Sequence, residues 1–325
     1  MTNSKSILVT GGSGFIGSHL VEYLLKKYPE KKVINLSKHT YAVNPGTLKH
    51  LESNPNYVFL PADITSTIEM SNYLRKYEVS ELFHLAAETH VDRSFVYPKD
   101  FLMNNVFGTW SLLESLRLLE EKPKLLVMST DEVFGNVPKG FCRELDRLEP
   151  RNPYSASKAS VEMYCYAYYH SYQVPVLTAR SMNNYGPRQH PEKLIAKVIT
   201  KCIQDEHFTL YEGGSIRGWI YVEDTCSCLD RIMQKGNLGE IYHIPPIAYK
   251  TVPEVCEAIL KLARKEELFD GYKGRRLKDD ERYALDGSKV LYELGWKPET
   301  SFEDGLRKTL EWYKLNPWFW RNLHV

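Results

Sequence analysis

The feature that most constrains the fold is a short apolar strand that runs into closely spaced glycines and then into a helix. It reads ILVTGGSGFIG over residues 7–17, and Leu20, Tyr23 and Leu24 continue one face of the helix. Glycines allow the backbone to approach a pyrophosphate, and the helix N-terminus offers free N–H groups to the anion. A plain tight turn is the alternative. Because this glycine pattern follows a strand and opens a helix, it predicts a dinucleotide-binding unit.

Apolar strands alternate with helical patterns over the first half of the chain. The apolar runs that predict strands lie at residues 32–36, 57–64, 82–89, 125–128 and 176–180. Long helices are predicted near 99–119 and 155–172. This alternation predicts an α/β protein, with a Rossmann-type doubly wound parallel sheet and a smaller C-terminal α/β substrate-binding part. We expect a dinucleotide-binding domain over residues 1–180 and a second domain over 181–325, with some segments interleaved.

The composition narrows the class of protein. Of the 325 residues, 42 are basic and 41 are acidic, which gives no sign of a nucleic-acid or membrane-surface binder. The six cysteines form no CxxC pair and no metal-ligand spacing, so we expect reduced thiols, a cytoplasmic location and no metal site. The first apolar run ends at Val9, too short for a signal peptide, and no stretch approaches the length of a membrane span.

The ends of the second and third strands should lie near the adenosine part of a dinucleotide. An NAD site usually has an acidic residue after the second strand, but this chain has Ser37, followed by Lys38 and His39. A serine can bond a ribose hydroxyl but does not repel a 2′-phosphate, so the preference for NAD over NADP stays open. Asp63 is expected either to bond the adenine amino group, with Ile64 against the ring, or to cap the next helix.

Two polar clusters carry the chemistry. The strand at 125–128 ends abruptly in the sequence STDE at 129–132, as expected for a parallel strand whose carboxyl end opens into a site. Asp131 and Glu132 supply an acid and a base, with a solvated turn as the alternative. Tyr154 and Lys158 lie four residues apart on one helical face. There the ammonium group is expected to lower the pKa of the tyrosine and make its phenolate a usable base.

The chain resembles the extended short-chain dehydrogenase/reductases, and among them the nucleotide-sugar 4,6-dehydratases of the dTDP-glucose or UDP-glucose type. The matching stretches span most of the chain in family order: TGGSGFIGS (10–18), HLAAETHVDRS (84–94), STDEVFG (129–135), NPYSASKAS (152–160), NNYGPRQHPEKLI (183–195) and IRGWIYVEDT (216–225). The Thr-Asp-Glu triplet sets the dehydratases apart from sister epimerases. The resemblance implies an NAD-dependent hydro-lyase that forms a 4-keto-6-deoxy sugar, as in deoxysugar (rhamnose-type) biosynthesis.

The same resemblance implies a role for each catalytic residue. Tyr154 would take the proton of the sugar 4-hydroxyl while hydride leaves C4 for NAD. Thr130 would bond this hydroxyl, and Lys158 would hold the nicotinamide ribose. Glu132 would then remove the C5 proton and Asp131 would protonate the departing 6-hydroxyl, before hydride returns to C6. NAD would be regenerated in each cycle and act as a bound catalyst.

The resemblance also implies the binding residues. The cofactor is expected to contact Gly11, Gly14, Phe15, Ile16, Gly17, Ser37, Lys38, Asp63, Ile64, Leu85, Ala86, Ala87, Asn104, Tyr154, Lys158 and Asn184. The sugar nucleotide is expected to contact Thr89, Thr130, Asn183, Lys193, Leu194, Arg217, Arg276 and Tyr283. Arg217 would pair with a phosphate, where its planar donor fork suits the oxygens, although a surface ion pair is the alternative. Asp224 is expected to cap or brace a helix.

The resemblance weakens late in the chain. The family commonly reads Arg-Pro-Gly-His-Asp where residues 276–280 read RLKDD, and it commonly has an asparagine at the position of His243. Arg276, Arg282 and Tyr283 are retained. We expect these positions near the nucleotide, so both uracil and thymine stay open as the base. Residues 301–313 predict a capped amphipathic helix, and the aromatic residues at 318–320 predict a tail that serves packing.

Assembly and two other functions remain to be weighed. The family pairs helices such as those near 99–119 and 155–172 into a four-helix bundle, which implies a homodimer. The alternative is that these helices only cover the sheet. One alternative function is a nucleotide-sugar 4-epimerase, against which Asp131 and Glu132 argue. The other is a catalytically silent NAD-binding scaffold, against which the intact set of Thr130, Tyr154 and Lys158 argues.

Overall fold

In a computed structural model of the chain, residues 5–275, 280–321 and 323 are described. The expected substrate residue Arg276 lies outside these described residues. All six cysteines are free thiols. Among the helices in the described ranges, none combines the length and the apolar character that crossing a membrane requires.

A seven-stranded sheet, in which every neighbouring pair of strands is parallel, organises the molecule. Its strands are β1 (Ser6–Thr10), β2 (Val33–Leu36), β3 (Tyr57–Leu60), β4 (Val79–His84), β5 (Lys124–Thr130), β6 (Val176–Ser181) and β10 (Ile241–Ile244). The order across the sheet is β10-β6-β5-β4-β1-β2-β3, which changes direction between β1 and β4. Ligands bind at the carboxyl ends of the strands beside such a point. This topology confirms the predicted Rossmann-type fold.

Helices cover both faces of this sheet. One face carries α1 (Phe15–Lys27), α8 (Val222–Lys235) and α10 (Ser288–Leu294), in an apolar core that includes Ile7 and Val9 of β1. The other face carries α2 (Thr67–Lys76), α5 (Gly108–Arg117) and α6 (Pro153–Tyr172), in a core that includes Leu8. Because successive side chains of a strand point to opposite faces, these two cores lie on either side of the sheet.

The C-terminal part adds two small sheets and a core of its own. Its strands are β7 (Asn183–Tyr185), β8 (Phe208–Glu212), β9 (Ile216–Tyr221), β11 (Ala248–Thr251) and β12 (Phe269–Arg275). One sheet has the order β11-β9-β7, and in the other β12 pairs with β8. The helices around this second core are α7 (Leu194–Gln204), α9 (Val252–Ala263), α11 (Phe302–Leu315) and α12 (Pro317–Trp320). β10 belongs to the seven-stranded sheet, although it lies beyond residue 180 in the chain. The domain boundary at residue 180 therefore stays a prediction.

The long helix predicted near 99–119 is divided into segments, which corrects the prediction of one regular helix. After α3 (Val91–Val96), α4 (Pro98–Phe101) leads into a π-helical segment, Leu102–Phe107, which continues as α5. At Gly108 a Cβ atom would lie 2.7 Å from Cδ1 of Ile64, so the helix passes very close to the loop after β3. Wider π turns are frequent at functional sites, and this one carries Asn104 to the wall of the main cavity.

The end of the chain follows the sequence prediction in part. Ser301 caps α11 by accepting a hydrogen bond from the backbone nitrogen of Asp304 at 3.1 Å. Asp224 braces the approach to this helix through a 2.9 Å hydrogen bond from the backbone nitrogen of Thr300, as predicted. Residues 319 and 320 are buried aromatic side chains, but Trp318 is 48% exposed and does not serve packing as fully as predicted.

Candidate active site

A cavity of about 690 Å³ opens at the carboxyl ends of the central strands. It runs from the glycine loop after β1, past the ends of β4 and β5, to the small sheets of the C-terminal part. Within the described ranges, every residue that is predicted to be catalytic or to bind the cofactor or the sugar nucleotide lines this cavity. The fold therefore brings together side chains that are scattered between residues 11 and 283.

The glycine loop forms a cradle that side chains would fill. Gly11 has a φ of +69°, and a Cβ atom there would lie 2.7 Å from the backbone nitrogen of Ala86. A Cβ atom on Gly17 would collide with the carbonyl oxygen of Gly11. Gly14 caps α1 without any side-chain hydrogen bond, which leaves the first N–H groups of the helix available to an anion. The cradle therefore fits the pyrophosphate of the predicted dinucleotide.

The carboxyl ends of β2 and β3 lie at the part of the cavity where the sequence predicts the adenosine of a dinucleotide. Lys38 Nζ donates to Asp63 Oδ2 at 3.0 Å and to Asn104 Oδ1 at 2.5 Å. Burial alone would raise the pKa of Asp63, but the hydrogen bonds from Lys38 and from the backbone of Thr65 hold this pKa below its ordinary value. Asp63 does not cap α2, because Ser66 is the N-cap of that helix.

The Thr130-Asp131-Glu132 triplet leaves the end of β5 in a single turn of 3₁₀ helix. Thr130 Oγ1 donates to Asp131 Oδ1 at 3.0 Å and accepts from the backbone nitrogen of Glu132 at 3.3 Å. The second oxygen of Asp131, Oδ2, is buried and has no protein partner. Burial, together with the nearby carboxylate of Glu132, raises the pKa of Asp131 to about 7. Asp131 can therefore hold a proton near neutral pH and give it up.

The start of α6 holds the tyrosine, the lysine and one carboxylate in place. Asn152 caps this helix, and its Oδ1 accepts from the backbone nitrogen of Ser155 at 2.8 Å. The amide nitrogen of the same side chain donates to Glu132 Oε2 at 3.3 Å. Lys158, one turn beyond Tyr154, donates to the carbonyl oxygen of Met128 at 2.7 Å. One capping asparagine thus joins the Tyr154–Lys158 helix to the Thr130-Asp131-Glu132 turn.

The protonation of Tyr154 differs from the prediction. Burial and the neighbouring carboxylates, Glu132 first, raise the pKa of Tyr154, and a hydrogen bond with Thr130 only partly opposes them. Lys158 does not contribute to this shift, and burial lowers the pKa of its own ammonium to about 8. The prediction that Lys158 lowers the tyrosine pKa is therefore wrong for the surroundings that this chain alone provides, because burial and the two carboxylates raise that pKa.

The opposite end of the cavity gathers the predicted sugar-nucleotide residues. Arg217 is buried, donates to the carbonyl oxygen of Asp280 at 2.8 Å, and lies 4.5 Å from the ring centroid of Tyr283. Lys193 precedes α7 and donates to the carbonyl oxygen of Thr89 at 3.1 Å. Since Arg217 is buried at the cavity, the surface ion pair considered from the sequence is excluded.

Two asparagines follow β6 with different surroundings. Asn183 is half-buried at the cavity wall. The side chain of Asn184 is held on both sides, because its amide donates to Ser181 Oγ at 2.8 Å and its oxygen accepts from Thr225 Oγ1 at 2.5 Å. Asn184 therefore presents a fixed wall to the predicted cofactor side of the cavity.

Two residues that the sequence associated with the nucleotide end belong elsewhere. His243 is fully buried in β10, where its Nε2 lies 3.2 Å from Arg180 Nη1, and it does not line the cavity. Arg282 donates to the carbonyl oxygens of Val137 and Gly140, which holds a loop. Neither side chain lines the cavity, so the structure does not support the prediction that they lie near the nucleotide.

Two histidines near the cavity have structural roles. His84 bridges Thr10 Oγ1, at 2.7 Å, and Thr109 Oγ1, at 2.9 Å, in the core beneath the glycine loop. His90 caps α3 by accepting from the backbone nitrogen of Arg93 at 3.3 Å. In the described ranges, no cluster of three histidine, cysteine or acidic side chains is suited to a metal ion.

Several lining residues were not predicted from the sequence. Asn152 carried a detectable signal, because an asparagine before proline is a common helix start. Lys197, Tyr211 and Lys273 carried none, since they come from α7, β8 and β12, and only the folded C-terminal sheets bring them to one wall. These three residues extend the candidate site beyond the predicted set.

The fold and the site together define the class of this protein. A glycine cradle after the first strand of a parallel sheet, with a Tyr154–Lys158 pair beside the same cavity, is the arrangement of an extended short-chain dehydrogenase/reductase. The model of the GDP-mannose 4,6-dehydratase family matches residues 8–309. The chain belongs to this family, which confirms the predicted place among the nucleotide-sugar 4,6-dehydratases.

Individual relatives extend over nearly the whole chain. A dTDP-glucose 4,6-dehydratase of Haemophilus influenzae is 39% identical, over 96% of this chain and 98% of that relative. A dTDP-glucose 4,6-dehydratase of Streptomyces venezuelae, solved with NAD bound, has a TM-score of 0.94 and 38% identity, over 98% of this chain and 100% of the other.

A plant relative differs in length. The trifunctional UDP-glucose 4,6-dehydratase/UDP-4-keto-6-deoxy-D-glucose 3,5-epimerase/UDP-4-keto-L-rhamnose-reductase of Arabidopsis thaliana is 37% identical over 97% of this chain. The chain spans about half of that relative, 48% of its length.

Proposed function

We propose that this chain is an NAD-dependent NDP-glucose 4,6-dehydratase, a hydro-lyase that converts dTDP-glucose or UDP-glucose to the NDP-4-keto-6-deoxyglucose and water. The observation that carries the proposal is the meeting of Asp131, Glu132 and Tyr154 in one cavity, between a part that fits a dinucleotide and a part that fits a sugar nucleotide. One relative named above is a dTDP-glucose 4,6-dehydratase and another includes a UDP-glucose 4,6-dehydratase. Both substrates are therefore retained in the proposal.

The cofactor fits the residues present. The glycine cradle and the N-terminus of α1 would hold the pyrophosphate of NAD, and Asn184 would form a wall beside it. Bound NAD would supply a hydride acceptor at the sugar and return that hydride in the same cycle. The chain itself would supply binding, orientation and proton transfer.

Two side chains would act on the sugar 4-hydroxyl. Thr130 would hydrogen-bond this hydroxyl, and the phenolic oxygen of Tyr154 would take its proton. Because burial and the carboxylates of this chain favour the neutral phenol, the base role needs a nearby positive charge. Lys158 is the cation that α6 offers, one turn from Tyr154, but within this chain alone it does not outweigh burial and the carboxylates.

Two carboxyl groups would carry the elimination of water. Glu132, positioned by the amide of Asn152, would remove the C5 proton once C4 is a ketone. Asp131, whose raised pKa of about 7 keeps it partly protonated near neutral pH, would protonate the departing 6-hydroxyl from its unpartnered Oδ2. Adjacent carboxyl groups in unequal surroundings are suited to opposite roles of acid and base.

The substrate end of the cavity suits a diphosphate. Lys193, Lys197, Arg217 and Lys273 all line it. Burial lowers the pKa of Lys197, and the charges of Lys273 and Lys201 add to this lowering. A bound anion would stabilise the charged forms of cations that repel one another in this way. This supports a nucleoside-diphosphate sugar as the substrate.

The first prediction concerns the reaction. We expect incubation with dTDP-glucose or UDP-glucose to give a product lighter by one water, because Asp131 and Glu132 promote elimination. Mass spectrometry of the quenched reaction checks this, and the faster of the two substrates identifies the base. An unchanged mass together with an inverted C4 centre would favour the 4-epimerase, and no product with either substrate would favour the silent scaffold.

A matched pair of variants controls this experiment. Tyr154→Phe removes a hydroxyl from the cavity, whereas Tyr168→Phe removes one from the same helix, where it bonds Glu114 away from the cavity. Only Tyr154→Phe should abolish formation of the dehydrated product. Equal losses in both variants would point to a general defect of α6 and not to chemistry at Tyr154.

The assembly that we propose is a homodimer through a four-helix bundle. Apolar side chains are exposed over the elements from α3 to α6, including Val96 (66%), Leu102 (56%), Met163 (54%) and Tyr166 (61%). These elements pack against one another, and we propose that their exposed side chains share one face of the molecule. A second copy of the chain, presenting the same helices about a two-fold axis, would cover this face.

The second prediction tests this interface. We expect light scattering at micromolar concentration to give twice the mass of one chain, and we expect Tyr166→Glu to lower it towards the monomer, because a charge would be placed within an apolar contact. Tyr292→Glu is the matched control, since Tyr292 is 83% exposed on the distant helix α10. A monomeric parent protein contradicts the dimer.

We also propose that the protein works in the cytoplasm. The six free thiols are consistent with a reducing compartment.

A further inference from the structure

The adenosine end of the cavity lacks the acidic residue that usually selects NAD. In sheets of this type, a carboxylate after the second strand bonds the adenosine ribose, and its charge repels the 2′-phosphate of NADP. Here β2 ends at Leu36, and Ser37 occupies that position at the cavity wall. Ser37 Oγ accepts a 3.3 Å hydrogen bond from the backbone nitrogen of His39, which leaves its hydroxyl hydrogen available to an oxygen of the ligand.

The next side chain brings a positive charge to the same end. Lys38 is 38% exposed at its side chain and lies between Asp63 and Asn104. The charge of Asp63 is compensated, since it accepts from Lys38 and from the backbone nitrogen of Thr65. A phosphate monoester near Ser37 would therefore meet a hydroxyl donor and a cation, and the nearest carboxylate is already neutralised.

One further acid has to be considered. Glu88 lines the cavity and is close enough to Lys38 for their charges to interact. Burial raises the pKa of Glu88, and Arg93 as well as Lys38 acts in the opposite direction. Its carboxylate thus faces two cations, so it does not replace the acidic residue that is absent from the end of β2.

Resting on the proposed function, we infer that the dinucleotide site accepts NADP as well as NAD, and that Ser37 is the residue that sets this tolerance. A dinucleotide that carries a 2′-phosphate would place it against Ser37 and Lys38. Because the proposed reaction returns the hydride within each cycle, it needs no particular pool of reduced cofactor, and either dinucleotide would serve.

The third prediction is a measurement of binding in the absence of any sugar nucleotide. After bound dinucleotide has been removed with activated charcoal, isothermal titration with NAD and with NADP should give dissociation constants within about tenfold of each other. Ser37→Asp should weaken the binding of NADP by about a hundredfold relative to that of NAD. This value lies between the repulsion of two close charges expected in water and that expected at a protein surface. Ser37→Asn, which is similar in size but neutral, should keep the parent ratio.

Each outcome of this titration bears on the inference. Lys38→Met should weaken NADP more than NAD, because it removes the cation but not the hydroxyl. A parent protein that prefers NAD by more than tenfold overturns the inference, even if Ser37→Asp does not fold. An unchanged ratio in folded Ser37→Asp, verified by circular dichroism, also overturns the role of Ser37. Binding of both dinucleotides by a protein without dehydratase activity would defeat only the proposed reaction.

Discussion

Glu132→Gln is expected to form the 4-keto-6-deoxy product at least about a hundredfold more slowly than the parent protein, while still oxidising C4 of the sugar. Glutamine keeps an oxygen that can accept the hydrogen bond from Asn152, so the turn at residues 131–134 should stay in place. It cannot take the C5 proton. Thr130, Tyr154 and Lys158 are untouched, and a 4-keto-glucose nucleotide should therefore accumulate in place of the dehydrated product.

Three further variants locate this effect. Asp131→Asn should also retain oxidation at C4 and lose the acid that assists departure of water, whereas Tyr154→Phe should stop the reaction before any oxidation. Glu149→Gln is the matched control, because the backbone nitrogen of Glu149 donates to the carbonyl oxygen of Val133 in the same turn at 2.9 Å, whereas its side chain faces Arg147 at the surface. It should turn over like the parent protein.

The measurement is a single-turnover experiment that combines the absorbance of reduced nicotinamide with mass analysis of the quenched sugar. Accumulated 4-keto-glucose in Glu132→Gln, and its absence in Tyr154→Phe, would support the two assignments. If Tyr154→Phe oxidises the sugar and Glu132→Gln does not, Tyr154 is not the base of the oxidation step and the assignment of the two residues is wrong. If Glu132→Gln turns over at the parent rate, Glu132 is only a turn residue.

The sequence predicted those parts of the site in which local geometry determines the chemistry. A glycine at residue 11 has no substitute where a Cβ atom would approach Ala86, and a strand followed by Thr130-Asp131-Glu132 has to place these side chains at a sheet edge. Tyr154 and Lys158 share a helical face by their spacing alone. Such features depend on residues close together in the chain, so they could be read before the fold was known.

Other features depend on contacts between distant segments. Nothing near His243 in the sequence indicates that Arg180 lies beside it, and the prediction that places His243 near the nucleotide follows from that. The pKa of Tyr154 depends on Glu132, which lies 22 positions earlier in the chain. A hydrogen bond from Asn152, the N-cap of α6, holds Glu132 beside that helix. The π-helical segment at 102–107 has an apolar pattern that a regular helix would share.

The buried pair of Arg180 and Glu162 shows how far such contacts reach into the site. The two side chains are almost fully buried, and Arg180 Nη2 lies 2.6 Å from Glu162 Oε2. Glu162 also accepts from Ser129 Oγ, directly before the Thr130-Asp131-Glu132 turn, and lies one turn beyond Lys158 on α6. Arg180 stands on β6 beside Ser129 of β5. The pair therefore ties the catalytic helix to both strands that lead into the cavity.

Arg180→Met is accordingly expected to lower the free energy of unfolding by about 3–5 kcal/mol, because it leaves the carboxylate of Glu162 buried without its arginine ion-pair partner. Equilibrium urea unfolding at a fixed protein concentration measures the change. Arg180→Met combined with Glu162→Met should recover part of the loss, since no charge is then left behind. Arg117→Met is the control, because its pair with Glu114 is exposed and exposed pairs contribute little. A loss in Arg180→Met no larger than in Arg117→Met would show that the buried pair does not hold the site together.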